Sequence, residues 1–152
     1  MIKVLINDKE IEKGRGGIMV YEWSSDLETG NKFIDAQHKA LFAAADDLAV
    51  AIRSGKGREE IEKTLAFLMD YSDRHFHDEE ELQKLYGFPD QVRHRWYHLD
   101  FKKKVGVLVG RFQAEGPTDE LLLEIYTSIG DWLLHHIKSD DFVLAAYLRA
   151  AQ

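Results

Sequence analysis

His94-Arg95-Trp96-Tyr97-His98 carries the first chemical signal in the chain. Two histidines four apart on a helix stand one above the other on the same face, so both imidazoles can reach one metal ion. His75 and Glu79 repeat that spacing with a carboxylate in second place, and His38 and His136 stand alone elsewhere. Imidazole and carboxylate donors without sulfur suit iron, zinc, copper or manganese. Five imidazoles exceed what one tetrahedral zinc takes, and Arg95 occupies the place where a zinc metalloprotease needs a glutamate base. Two ions are the economical solution. Two neighbouring cations repel and need bridging anions. Glu79 is one candidate bridge. The second is expected close to His136, where Asp140 and Asp141 are both available. A four-residue step to Asp140 keeps ideal helical stacking, whereas a five-residue step to Asp141 needs the helix to loosen, so geometry prefers Asp140 slightly.

These donors matter because of the stripes they occupy. A helix is expected from about Asn31 to Ser54, with Ile34, His38, Leu41, Ala45, Leu48 and Ile52 along one face. A second, from about Arg58 to Tyr86, aligns Ile61, Leu65, Leu68, Ser72, His75, Glu79 and Leu82. A third, from about Asp90 to Ala114, aligns His94, His98, Phe101, Val105, Leu108 and Phe112. A fourth runs from Thr118, or the Gly-Pro before it, to about Ser139, with Leu122, Ile125, Ile129, Trp132 and His136; a short helix from about Phe142 to Ala150 follows. Ser54-Gly55-Lys56-Gly57, Gly87-Phe88-Pro89 and Glu115-Gly116-Pro117 separate them. Short loops and steps alternating between three and four predict an all-α, antiparallel up-down four-helix bundle with an N-terminal arm and a short C-terminal helix. All four long helices then point a metal-ligating residue into the same interior, where an uncompensated ionisable group loses its hydration at a cost of several kcal/mol. A shared metal centre resolves that cost.

Composition narrows the class further. The 152 residues fit a single ordinary domain. The absence of cysteine removes disulfides, thiolate metal sites and thiol catalysis. A net charge of -7 argues against partners held through phosphates, so neither nucleic acid nor an anionic membrane surface is expected. No apolar run approaches a membrane span and no signal-peptide core opens the chain, so a soluble cytoplasmic protein is the default. Residues 1–18 read as an appendage or linker: Ile2, Val4 and Ile6 alternate as in a small strand pair, and Gly14-Arg15-Gly16-Gly17 forms a joint. Residues 19–152 read as the bundle. The ferritin-like alternative needs Glu three residues before His on two helices; of the residues at that offset only Asp35 is acidic, and the alternative fails.

The segments Ile34-Asp35-Ala36-Gln37-His38, His75-Phe76-His77-Asp78-Glu79-Glu80, His94 with His98, and Trp132-Leu133-Leu134-His135-His136-Ile137-Lys138-Ser139-Asp140-Asp141 strongly resemble the hemerythrins, the bacterial ones in particular, over about Met19 to Leu148. The resemblance implies reversible O₂ binding at a non-haem centre of two iron ions (Fe²⁺/Fe³⁺) with a bridging oxo or hydroxo group, in a carrier, store or sensor. His94, His98 and His136 match the three ligands of the saturated iron. His38 and His75 match those of the iron with an open position, and Glu79 matches a bridging carboxylate. The family's last motif places Asp five residues after His and so points to Asp141. Trp132, Leu133 and Ile137 resemble the O₂-pocket wall, which Phe76 and Trp23 extend. His77 and His135 match no ligand position. Family architecture makes an O₂ binder the leading expectation, not an enzyme. A di-iron oxidase or peroxide-reacting enzyme, and a redox signalling module with a reductase or signalling partner, are the alternatives. With nothing after the bundle, a stand-alone protein is expected.

Overall fold

The computed structural model describes residues 20–152; the expectations for residues 1–18 fall outside them. An arm with a 3₁₀ turn at Ser25–Leu27 leads into α1 (Lys32–Arg53), α2 (Arg58–Tyr86), α3 (Gln91–Glu115) and α4 (Asp119–His136), then a π-helical turn (Ile137–Asp141) and α5 (Phe142–Ala150). Consecutive long helices pack side by side, and α1 also packs on α4, closing the ring of an up-down bundle. None of the described helices is long and apolar enough to cross a membrane.

Local chemistry fixes the helix ends. The Asn31 side chain accepts from the backbone N–H groups of Phe33 and Ile34, both at 3.1 Å, and Thr118 accepts from Leu121 at 3.2 Å. These satisfy donors that a first helical turn leaves open. Gly87 closes α2 at φ 66°, a left-handed conformation that costs glycine little. The predicted stripes form the core: Ile61, Leu65, Leu68, Val105, Phe112, Ile125 and Ile129 are all buried.

Two fastenings hold the ends of the chain on the bundle. At the N-terminal side, Tyr21 is buried; its hydroxyl donates to Asp131 Oδ1 at 2.7 Å and its ring meets Tyr126 edge-on at 5.3 Å. At the far side, α5 folds over the end of the bundle, where Leu144 and Leu148 join Ile34 and Phe88 in a separate apolar cluster. The Tyr147 hydroxyl donates to the carbonyls of Tyr86 and Gly87, each at 3.0 Å. Asp35 accepts from the backbone and hydroxyl of Thr29, both at 2.8 Å, and Arg149 donates to the Thr29 carbonyl.

The seat of the arm depends on Gly130. A Cβ there would lie 2.2 Å from the Tyr21 ring, and the ring is fixed too firmly to yield cheaply. Gly130→Ala is expected to displace the arm and cost about 1–3 kcal/mol, the usual range for overpacking. Thermal unfolding checks the stability, and accessibility of Trp23 to a fluorescence quencher checks the displacement. Unchanged values in both would show that the arm does not rest on this contact.

Candidate metal centre

Near the α5 end of the bundle, seven side chains from every long helix and the π turn converge: His38 from α1, His75 and Glu79 from α2, His94 and His98 from α3, His136 from α4, and Asp141. All seven are buried. They form two groups that share Glu79. His94, His98 and His136 with Glu79 make one, and His38, His75, Glu79 and Asp141 make the other; within each, the donor atoms lie within 4.8 Å of one another.

The carboxylates divide their oxygens between the groups. Glu79 Oε1 faces His75 Nε2 at 3.3 Å and His38 Nε2 at 3.8 Å, while Oε2 lies 3.3 Å from both His94 Nε2 and His98 Nε2. Asp141 Oδ2 lies 2.9 Å from His38 Nε2, while Oδ1 lies 3.2 Å from His94 Nε2 and His136 Nε2. The Nε2 atom of His136 also stands 3.1 Å from those of His94 and His98. Three nitrogens and two oxygens thus point at one locus, and two nitrogens and two oxygens at its neighbour. Both oxygens of Glu79 and of Asp141, and Nε2 of His38 and His75, are buried without a hydrogen-bond partner. Native interiors rarely tolerate that. The donors are hard and borderline, oxygen and imidazole, and each locus is of a size for one divalent ion. The residues therefore fit a pair of metal ions.

The π turn resolves the choice between the two aspartates. The Phe142 N–H bonds to the Ile137 carbonyl, five residues back instead of four. This widened turn is the loosening that a five-residue step requires. It brings Asp141 to 0 % exposure among the donors, whereas Asp140 stays at the margin with Oδ2 3.3 Å from His136 Nδ1. The slight preference for Asp140 from ideal spacing is corrected here: Asp140 stands behind the histidine, and Asp141 faces the cluster.

Behind the imidazoles stand acceptors that orient the rings. His75 Nδ1 meets Gln37 Oε1 at 2.8 Å, and the Gln37 amide donates to Asp78 at 2.6 Å. His98 Nδ1 lies 3.2 Å from Glu80 Oε1. Glu80 has no signal in the sequence, because its contact crosses from α2 to α3. Asp35, Asp70 and Tyr71 are near in sequence but do not serve this way: Asp35 fastens Thr29, Asp70 pairs with Arg74 at the surface, and Tyr71 lies beside Phe67. His77 and His135 are exposed, outside the cluster as expected.

Aromatic rings wall the three-histidine side. Phe76 stacks on His98 with centroids 4.1 Å apart, and Trp132 stacks on His136 at 4.3 Å. Phe76 also meets His75 at 5.8 Å, so it spans both groups. Trp23 approaches His38 at 6.3 Å, and Leu133 and Ile137 are buried in the same core.

Electrostatics of the metal-free centre follow from the same geometry. Burial opposes protonation of His94 and His136, but the facing Asp141 and Glu79 outweigh it, raising His94 to about 9 and His136 to about 10. Burial pushes His75 down to about 4. Burial resists ionisation of Glu79 and Asp141 too, yet the surrounding histidines hold both below the usual carboxylate range. Without metal, the facing carboxylates thus favour protons on His94 and His136, where metal cations would otherwise offset their charge.

A bundle with a buried centre of five histidines and two carboxylates defines a class of cation-binding helical proteins. The comparisons make it specific. The family model of the hemerythrin HHE cation binding domain matches residues 29–148, and the chain belongs to that family. It is 32% identical over 128 residues to a bacteriohemerythrin of Stenotrophomonas maltophilia, covering 84% of this chain and 81% of that one. It is 33% identical over 122 residues to a myohemerythrin of Theromyzon tessulatum, covering 80% and 88%. A crystal structure of a hemerythrin mutant in which tyrosine replaces a leucine superposes with a TM-score of 0.75 at 27% identity, over 84% of this chain and 95% of that chain.

The protonated histidines set a pH dependence for the metal-free protein. His94 and His136 have folded values above the ordinary 6.5, so their stabilisation is complete below 6.5 and is lost as pH rises through about 9 to 10. His75, lowered, contributes above 6.5 and loses its contribution as pH falls toward about 4. Stability without metal is therefore expected to fall between pH 7 and 10, and metal loading to flatten that fall because cations replace the protons. Melting temperatures with and without metal across this range test it. Parallel profiles would contradict the account.

Proposed function

We propose that the chain binds O₂ reversibly at a non-haem di-iron centre, as a carrier, store or sensor and not as an enzyme. The observation that carries this reading is the division of oxygens: Glu79 and Asp141 each offer one oxygen to a three-histidine locus and the other to a two-histidine locus. With both carboxylates bridging, the His94, His98 and His136 locus would offer five protein donors and the His38 and His75 locus four, so an exogenous ligand would find room at the second. Membership in the hemerythrin family supports iron as the metal. The finer details, an oxo or hydroxo bridge and the assignment of each ligand, follow the same reading.

A pair of ferrous ions supplies the electrons that make O₂ binding reversible. The protein's part is to hold, orient and exclude. His38, His75, His94, His98 and His136 would hold the ions through Nε2; Gln37, Glu80 and Asp140 fix three of the rings through Nδ1. Of the expected pocket residues, Phe76 and Trp23 lie beside His75 and His38 and line the O₂ side in this reading, whereas Trp132 stacks on His136 of the other locus; with Leu133 and Ile137 in the core, all five keep water and stray protons from the centre. O₂ is the partner on this account, with a reductase or signalling partner as a further one. The burial of the centre and its apolar walls favour a binder over an oxidase, which needs a path for substrate and protons.

Visible spectra of anaerobically iron-loaded protein test the reading. A charge-transfer band is expected on admitting O₂ and is expected to vanish under vacuum. A band that decays irreversibly would favour the oxidase alternative, and no band with two irons bound would overturn O₂ binding.

The two aspartates provide a second test. Asp141→Ala is expected to abolish binding of the second iron. Asp140→Asn is expected to keep both irons with affinity lowered about 10- to 100-fold, as for residues behind a ligand. Iron stoichiometry by elemental analysis distinguishes them, and the opposite ranking would reverse the assignment.

A further inference from the structure

Gln83 is buried at 1 % exposure, and neither atom of its amide has a hydrogen-bond partner. Among the described residues, the other buried side-chain polar atoms left without one all belong to His38, His75, Glu79 and Asp141, members of the convergent cluster. Gln83 is the single exception outside it. Its place in α2 is telling. His75, Glu79 and Gln83 follow at four-residue steps and share one face, so Gln83 stands one helical turn beyond Glu79, at the spacing where side chains of a helix are neighbours. The turn it belongs to packs on the apolar cap of the bundle, where Leu82 and Tyr86 meet Ile34, Phe88, Leu144 and Leu148. An apolar side chain would serve that packing without leaving an amide unpaired. The other glutamine beside the centre, Gln37, is satisfied at both ends of its amide.

We infer that Gln83 is a positioning residue for the metal centre, its amide N–H donating to the Glu79 carboxylate once the centre is loaded. This rests on the reading that Glu79 bridges metal ions. A bridging carboxylate uses one lone pair on each oxygen for metal and keeps another for an outside donor. No charged group is needed, and none is added. Without metal, four imidazoles crowd the Glu79 oxygens at 3.3 to 3.8 Å, and the amide is unpaired. With metal bound, the imidazole nitrogens would face the ions and the Glu79 oxygens would keep a lone pair for the Gln83 N–H. The amide then orients Glu79 between the two loci and draws electron density from it.

The test uses Gln83→Met and Gln83→Leu, both close to glutamine in size and compatible with a helix, in the full chain with ferrous iron as the probe. Without metal, both variants are expected to melt at a higher temperature than the parent, since an unpaired buried amide has been removed. With iron bound, that gain is expected to vanish or reverse. Iron affinity is expected to fall about ten-fold or more, and the carboxylate stretching bands of the loaded protein to shift in the infrared. An equal melting gain with and without iron, together with unchanged affinity and carboxylate bands, would overturn the inference while leaving the metal centre standing. Failure of the parent chain itself to bind iron would overturn both.

Discussion

Two buried carboxylates whose oxygens face imidazoles govern this structure. Glu79 and Asp141 are fully buried, and the groups within reach of their oxygens are imidazoles. A buried anion is tolerable only where cations meet it. The bundle supplies five rings that can carry either protons or metal ions, and the elevated proton affinity of His94 and His136 is the electrostatic imprint of that demand. The rest of the architecture can be derived from keeping these seven groups together. Four helices are needed because the donors come from four directions. A closed end is needed because water entering beside Asp141 would relieve the demand for cations, and α5 provides it by burying Leu144 and Leu148 against Ile34 and Phe88.

The interior is correspondingly segregated. From Leu65 and Leu68 on α2 to Ile125 and Ile129 on α4, the bundle is an ordinary apolar seam that provides stability. The polar centre is confined to the end near α5, and between the two lies a layer of aromatic rings: Phe76, Phe101 and Trp132, packed at 4.2 to 5.7 Å. Rings stacked on His98 and His136 hold the imidazole planes by contact, as Glu80 and Asp140 hold them by their Nδ1 atoms. Position and rotation are thus fixed by different interactions, which lets the donors keep their places before any ion is bound.

Most of this was legible from periodicity, for a physical reason. A histidine or glutamate on a seam that should carry leucine violates the pattern, and such violations are expected where function lies. His38, His75, Glu79, His94, His98 and His136 were all visible in that way, as were the helices, to within three residues at the end of the fourth, where the π turn begins, and one residue elsewhere. Asp141 was visible only as one of two candidates, because a regular α-helical repeat slightly favours Asp140 where the chain in fact makes a π turn; the family resemblance pointed to Asp141. Glu80 was hidden because it sits off the stripe and acts across a helix–helix interface. Gln83 was hidden for the opposite reason: neighbouring Leu82 accounts for the apolar step at that level, and an amide beside it reads as a surface residue until its burial is known.

An unbroken α-helix from Asp119 to Ala150 would satisfy the backbone better, since each widened turn forfeits regular bonding. The π turn falls between two ligand candidates and nowhere else among the described helices. Its effect is to let one short segment serve both faces of His136: Asp140 reaches the outer nitrogen at 3.3 Å, and Asp141 the inner one at 3.2 Å. With four-residue spacing only one carboxylate could stand over the ring's face of the helix, and the choice would lie between orienting the histidine and bridging the loci. Inserting one residue into the turn removes that choice, and it rotates α5 into the direction from which it covers the centre. The same local distortion therefore completes the donor set and closes the bundle over it.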